Sequence, residues 1–198
     1  MSYPIQEIPL SKKFRIYRGF SDLAITHKDD ILNVVKLNNM VSTRSNNNSV
    51  WMEINSEYFT RINEKIKSYI TKFTQKEFKT YAAHYWIYTQ TKGFDLEWMH
   101  QHILVHPDNR TNILTDYTFT YYLQVPNDIE GYEGHIVFET EDGCKHHFLP
   151  KEGDIFIFPS DIRHTAIPTP KSETDRIVYA GSFCIDVENQ NIKSRNLI

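Results

Sequence analysis

Three histidines at even spacing, His100, His102 and His106, are the first residues whose types and spacing could do chemistry. They lie in the stretch LEWMHQHILVHPD, which predicts a strand, and alternate residues of a strand point to the same face. Asp108 continues the same alternation. Imidazoles that converge from one face suit a divalent transition metal, although a single histidine in such a strand is more often a surface or hydrogen-bonded residue. The spacing therefore indicates a metal site, with a structural role as the alternative.

A histidine and an arginine near the end of the chain form a second candidate pair. His164 follows the apolar strand GDIFIFPS, and Arg176, twelve positions later, opens the apolar stretch RIVYAGSF. An arginine at the head of an apolar strand needs an anionic partner, because an unpaired buried charge is costly. A guanidinium can hold a carboxylate through two parallel hydrogen bonds, which a lysine cannot reproduce. The alternative is a surface arginine paired with Asp175 or Glu173.

The elements that must position these residues change type near residue 80. Before it, ILNVVKL follows Asp29 and Asp30 and suits a short helix, and a longer amphipathic helix is predicted to begin at Ser56. Its apolar face recurs at steps of three and four residues: Tyr58, Phe59, Ile62, Ile66, Tyr69, Ile70 and Phe73. After residue 80 the chain reads as short strands separated by turn residues: YAAHYWIYTQT, LEWMHQHILVH, YTFTYYLQV, HIVFET, KHHFL, DIFIF, HTAI and RIVYAGSFCID.

This order predicts a single domain of mainly β structure with flanking N-terminal helices. Short strands with turns between them are typical of an antiparallel sandwich or barrel, and the absence of strand–helix alternation argues against a doubly wound parallel sheet. We expect residues 1–80 to form a helical extension packed on the sheet, and residues 81–190 to form the β core.

Composition and charge exclude several classes of protein. The net charge of −3 and the lack of basic runs argue against an extended nucleic-acid surface or binding to an anionic membrane. We find no secretory leader and no apolar run long enough to span a bilayer, and Cys144 and Cys184 are too few for a disulfide framework. Together these observations predict a cytoplasmic protein with reduced thiols.

The C-terminal half, over residues 86–184, resembles the iron(II)/2-oxoglutarate-dependent oxygenases, particularly their prolyl-hydroxylase-like branch and small phage-type members. The resemblance rests on an aromatic strand ending in Gly93, a His-x-His or His-x-Asp pair, the TYYLQVP and GDIFIFPS strands, His164 and Arg176, in that order. It implies a double-stranded β-helix, that is, a cupin-like jelly roll. It also implies an Fe(II) ion with His164 as one ligand, and 2-oxoglutarate as co-substrate, its far carboxylate paired with Arg176 and supported by the Tyr122 hydroxyl. Such an enzyme converts 2-oxoglutarate to succinate and hydroxylates a substrate, with no catalytic side chain beyond the metal ligands.

Two pairs remain open for the other metal ligands. His100 and His102 follow Gly93 at the spacing of the family and would give an all-histidine site with His164. His106 and Asp108 would restore a carboxylate ligand, but HPDNRTN is typical of a turn and a proline is awkward within a strand. We therefore predict His100, His102 and His164 as the metal ligands, with His106 and Asp108 as the alternative.

Two other classes of protein compete with the dioxygenase. One is a cupin-like metalloprotein that uses no oxo-acid, which an all-histidine site would suit. The other is a metal-free jelly roll that acts as a binding module. The sequence carries no motif for the primary substrate, which we expect to be a small molecule or a protein side chain, and none for an oligomeric state.

Overall fold

The computed structural model describes residues 4–37, 49–51, 56–74, 83–93, 95, 98–105, 112–114 and 116–183. The helices are α1 (Leu23–Thr26), α2 (Lys28–Leu37) and α3 (Glu57–Thr74). The strands are β1 (Gln6–Pro9), β2 (Arg15–Phe20), β3 (Ser49–Trp51), β4 (Ala83–Gln90), β5 (Ile103–Val105), β6 (Asn112–Leu114), β7 (Tyr117–Gln124), β8 (Ile136–Glu139), β9 (Lys145–Phe148), β10 (Asp154–Pro159), β11 (Arg163–Ala166) and β12 (Arg176–Phe183). Within the described residues, no helix is long and apolar enough to cross a membrane.

Two antiparallel sheets form the β core. The larger, which we call the major sheet, has the strand order β1-β2-β10-β7-β12-β4-β3, and the smaller, the minor sheet, has the order β11-β8-β9. Several neighbouring strands of the major sheet are distant in sequence, as in the pairing of β12 with both β4 and β7. Four strands of the major sheet thus lie in the order β10-β7-β12-β4 opposite the minor sheet, which is the arrangement of a double-stranded β-helix. The predicted fold class is confirmed.

The major sheet buries both of its faces because its strands alternate two sets of apolar side chains. On β7, Phe119 and Tyr121 face the helices, whereas Tyr122 faces the interior between the sheets. On β12, Tyr179 belongs to the helix side and Val178 to the interior. The even-numbered residues of β12 therefore point into the barrel, and Arg176 is the first of them.

Helix α3 covers the outer face of the major sheet. Its buried residues recur at helical spacing: Phe59, Ile62, Ile66, Tyr69 and Ile70. The ring of Phe59 packs edge-on against that of Tyr179 at 4.7 Å, and the Tyr179 hydroxyl donates to Asn63 Oδ1 at 2.9 Å. The predicted amphipathic helix is confirmed, and it supports the strand that carries Arg176.

Two features of the fold differ from the expectation. Residues 1–80 are not only helical, because β1 and β2 extend the major sheet beside β10. These strands are short, and in RIYRGF only Ile16 and Gly19 are buried, so a regular alternation of apolar and polar residues is missing from the sequence. The predicted continuous strand around His100 is also interrupted: His100 forms an isolated bridge with His164, and β5 begins only at Ile103. The boundary at residue 80 stays a prediction.

Gly153 lies directly before β10, and its backbone bonds to β7 and to the residue that follows β2. Its replacement therefore tests this packing. Its φ is +87°, its amide donates to the Tyr122 carbonyl at 2.9 Å, and its carbonyl accepts from the Ser21 amide at 2.8 Å. A Cβ here would lie 2.6 Å from the Ser21 carbonyl oxygen and from Phe20 Cε2.

We predict that Gly153→Ala destabilises the protein more than Gly143→Ala. Gly143 has a φ of +80° but open space around its Cα, so alanine there costs only the strained backbone, about 1–2 kcal/mol. At Gly153 the clash adds at least about 1 kcal/mol more. Urea unfolding of both variants measures the difference, and equal free energies of unfolding would contradict the packing described here.

Candidate metal centre and anion pocket

Three histidines meet at one end of the barrel interior. His164 lies on β11, while His100 and His102 lie on the segment that precedes β5, and each offers a ring nitrogen within 4.8 Å of the others. Paired backbone hydrogen bonds of 3.0 Å join His100 to His164 and hold that segment against β11. The predicted histidines are therefore brought together, and no carboxylate joins them among the described residues.

Backbone carbonyls orient two of the rings. His164 Nδ1 lies 3.1 Å from the Ile162 carbonyl oxygen, and His100 Nδ1 lies 3.3 Å from that of Trp98. A carbonyl accepts only, so in each ring Nδ1 carries the proton and Nε2 keeps its lone pair. An Nδ1–H bound to a carbonyl is the usual outer contact of a histidine whose Nε2 ligates a metal.

The separation of the nitrogens fits a single metal ion. His102 Nε2 lies 3.0 Å from His164 Nε2. Two nitrogens bound to one ion at about 2.0–2.1 Å and at a right angle to each other are also about 3 Å apart. Imidazole is a ligand that iron, nickel, copper and zinc all accept. The residues present therefore fit a divalent transition metal.

Burial keeps these imidazoles neutral. It lowers the pKa of His102 to about 3, and it lowers that of His164 well below the ordinary value, with the neighbouring histidines adding to the effect. The pKa of His100 is lowered as well, again mainly by burial. A neutral imidazole has the lone pair that a metal requires, so the cluster is ready to bind one near neutral pH.

Aromatic rings enclose the cluster on its inner side. Phe158 lies 4.6 Å from the His164 ring and Trp86 lies 5.0 Å from the His102 ring, between centroids. On the other side Trp98, 6.3 Å from the His100 ring, is 58% exposed. The cluster is thus dry on one side and reachable from solvent on the other.

Arg176 lies fully buried inside the same barrel. Its Nη1 donates to Gln90 Oε1 at 3.1 Å, its Nη2 donates to the Tyr122 hydroxyl at 3.3 Å, and its Nε–H has no hydrogen-bond partner among the residues that the structure describes. Neither partner carries a charge, and no ion pair of Arg176 occurs among the described residues. The alternative of a surface arginine paired with Asp175 or Glu173 is wrong, because the side chain is wholly enclosed. A buried guanidinium with an unused donor fits a bound anion, such as the carboxylate of an oxo-acid.

Sequence reasoning did not identify Gln90 as part of this pocket. Gln90 is fully buried on β4, where it is the cross-strand neighbour of Arg176. Its Nε2 donates to the Tyr88 hydroxyl at 3.1 Å and to the Ala166 carbonyl at 3.4 Å. The alternation of Trp86, Tyr88 and Gln90 in the sequence places them on one face, but only the register with β12 shows that this face meets Arg176.

The histidine cluster and the anion pocket are connected through β11. The Gln90 amide that holds Arg176 also contacts Ala166, which lies two residues after His164. Two residues of a strand span roughly 7 Å. The histidine cluster and the anion pocket therefore adjoin the same short strand. The other candidate ligands, His106 and Asp108, lie outside the described residues.

The comparisons with known proteins concern the fold. No protein-family model matches the chain, and no curated protein matches it by sequence. Solved structures do match. A viral collagen prolyl hydroxylase from Paramecium Bursaria Chlorella virus-1, in complex with 2-oxoglutarate, has a TM-score of 0.62 at 18% identity, over 85% of this chain and 94% of its own. HygX from Streptomyces hygroscopicus, with nickel and 2-oxoglutarate bound, has a TM-score of 0.57 at 10% identity, over 87% and 83%. A prolyl hydroxylase from Trichoplax adhaerens, in complex with a hypoxia inducible factor peptide fragment, has a TM-score of 0.56 at 14% identity, over 86% and 83%. The chain thus has the fold of the 2-oxoglutarate–iron(II) oxygenases, and the resemblance read from the sequence is confirmed at that level.

We predict that His100→Ala, His102→Ala and His164→Ala each weaken binding of Ni(II) or Co(II) by more than about a hundredfold, the upper range for losing a residue that only orients a ligand. Asp108→Ala should bind as the unmodified protein does, and His147→Ala, on an exposed histidine of β9, controls for loss of any imidazole. Titration calorimetry or the visible spectrum of bound Co(II) measures this. Metal binding that survives His100→Ala but is lost in Asp108→Ala would move the centre to His106 and Asp108.

Proposed function

We propose that the protein is an Fe(II)- and 2-oxoglutarate-dependent dioxygenase that hydroxylates its substrate. The observation that carries this proposal is the buried Arg176, which among the described residues has only neutral hydrogen-bond partners and an unused Nε–H, in the same barrel as three clustered histidines. A metal site alone would suit many reactions. A buried cation without an anion in the described part of the chain, linked to that site through Gln90 and β11, narrows the choice to enzymes that bind an acid beside the metal.

Different residues of the site would hold the metal ion and the co-substrate. We assign His100, His102 and His164 as the metal ligands on one side of the ion. Arg176 and the Tyr122 hydroxyl would hold the far carboxylate of 2-oxoglutarate, and Tyr122, which accepts from Arg176, can still donate its own proton. When bound, iron and 2-oxoglutarate would supply the chemistry that uses dioxygen as the oxidant: one oxygen atom enters succinate as carbon dioxide is released, and the other enters the hydroxylated product.

The protein also controls water and access. Phe138, Phe156 and Phe158 lie in the buried cluster between the sheets and keep the inner end of the site dry. Trp98, exposed beside His100, marks the open side through which a small molecule or a protein side chain would enter. The prolyl hydroxylase from Trichoplax adhaerens, which has a similar fold, is in complex with a peptide fragment. This likeness supports a protein side chain as the substrate.

A cupin-like metalloenzyme that needs no oxo-acid is the second candidate function. The specific observation in its favour is that the cluster consists of three histidines, with no carboxylate among the described residues. Such an enzyme has no use for a buried, unpaired arginine. It would bind the metal normally and remain indifferent to 2-oxoglutarate.

We predict that Arg176→Lys weakens 2-oxoglutarate binding by about 10- to 100-fold without affecting metal binding. Lysine keeps the charge but not the planar fork, so one or two charge-assisted hydrogen bonds of about 1.5–3 kcal/mol each are weakened or lost. Titration of Ni(II)-loaded protein measures the affinity, and succinate formation with Fe(II) measures turnover.

The matched control for this test is Arg163→Lys. Arg163 is exposed at the start of β11 and pairs with Glu139 at 2.6 Å, so its replacement should leave 2-oxoglutarate binding unchanged. If the unmodified protein binds metal but no 2-oxoglutarate, the second candidate function is favoured. Equal affinities in Arg176→Lys and the unmodified protein would remove Arg176 from the site.

A further inference from the structure

The hydrogen-bond partners of Arg176 are neutral although acidic residues are common in the chain. Two of its donors meet Gln90 Oε1 and the Tyr122 hydroxyl, at 3.1 Å and 3.3 Å, and its Nε–H has no hydrogen-bond partner in the part of the chain that the structure describes. The buried carboxylate that acts on Tyr122, that of Asp154, is paired with Arg18 at 2.6 Å. A structural arginine in a protein interior is normally paired with a carboxylate, because an uncompensated charge there is costly. The residue opposite Arg176 on β4 is instead Gln90, whose neutral side chain has the same shape as that of a glutamate.

Three contacts fix the orientation of the Gln90 amide. Its nitrogen donates to the Ala166 carbonyl at 3.4 Å and to the Tyr88 hydroxyl at 3.1 Å, and its oxygen accepts from Arg176 at 3.1 Å. A carbonyl can only accept and a guanidinium can only donate, so the flipped amide would oppose like groups at both ends. The amide therefore holds the guanidinium in place while contributing no negative charge.

We propose that Gln90 is a positioning residue that keeps the charge of Arg176 uncompensated, so that the pocket selects an oxo-acid with a second carboxylate. The inference rests on the proposed function and adds the residue that sets the charge preference of the co-substrate site. A glutamate at this position would neutralise Arg176 internally. Glutamine accepts the same hydrogen bond from Arg176 but carries no charge, so the positive charge of Arg176 remains available to the ligand.

The decisive variant is Gln90→Glu. Ni(II)-loaded protein is titrated with 2-oxoglutarate and with 2-oxopentanoate, the 2-oxo acid of the same chain length whose far carboxylate is replaced by a neutral methyl group. The unmodified protein should prefer 2-oxoglutarate. In Gln90→Glu, affinity for 2-oxoglutarate should fall at least about tenfold, which is the loss of one charge-assisted hydrogen bond, and the preference over 2-oxopentanoate should shrink by a similar factor.

A second variant separates charge from anchoring. Gln90→Met removes the anchor but adds no charge, so 2-oxoglutarate should bind more weakly while the protein's preference for it over 2-oxopentanoate is kept. This variant keeps the inference testable if Gln90→Glu fails to give a cooperative melting transition. Gln6→Glu is the matched control, because Gln6 is exposed on β1, at the far edge of the major sheet from β4, and the substitution makes the same change from amide to carboxylate away from Arg176. It should bind both acids as the unmodified protein does.

The outcomes distinguish this inference from the proposed function. If the unmodified protein binds no 2-oxoglutarate, the proposed function fails. If it binds 2-oxoglutarate and Gln90→Glu keeps the same affinity and preference, Gln90 does not set the charge of the pocket. Loss of the preference in Gln90→Met would also overturn the inference, since a neutral side chain leaves the charge of Arg176 in place.

Discussion

Strands β7, β10 and β12 bury side chains on both of their faces, and the site depends on this constraint. A strand buried on both sides can place a polar residue inside only if that residue finds partners within the barrel. Arg176 is such a residue: its neighbours Ile177 and Tyr179 pack under the helices, so its own side chain must point between the sheets. Helix α3 therefore contributes to the site without touching it, because it fixes which face of β12 is the inner one.

The inner face also explains why the pocket has its particular chemistry. Cross-strand register places Gln90 beside Arg176, and Tyr122 approaches from β7 on the other side. Burial raises the pKa of the Tyr122 hydroxyl, and the nearby guanidinium partly offsets this, so the phenol stays protonated and can act as a donor. The pocket thus presents donors and a positive charge to whatever enters it, whereas the histidine cluster presents lone pairs. The two ends differ in kind, and a ligand with a chelating end and an anionic end matches both.

Much of this could be predicted from the sequence, because residue type and alternation carry strong signals. The strand pattern gave the β core, and His164 and Arg176 stood out since each interrupts an otherwise apolar stretch. The choice between His100/His102 and His106/Asp108 could not be made from residue type and alternation. Both pairs fit the alternation of a single strand, and what brings His100 to His164 of β11 is an isolated bridge from a segment that is not itself a regular strand. Gln90 could not be assigned to the pocket from the sequence either, because the register between strands distant in sequence is set by the packed structure as a whole.

The histidine cluster and Arg176 are also coupled through charge. Three neutral imidazoles bring no negative charge to a divalent ion, whereas an aspartate ligand would bring one. In a site of this composition, the ion and the guanidinium together place an excess of positive charge in a dry interior, and a charge there is stable only when it is compensated. A dianionic oxo-acid compensates both at once, with one carboxylate at each end. Under the proposed function, an all-histidine centre would gain more from the anionic ligand than a carboxylate-containing centre would, and any factor by which the metal strengthens oxo-acid binding would equal the factor by which the oxo-acid strengthens metal binding.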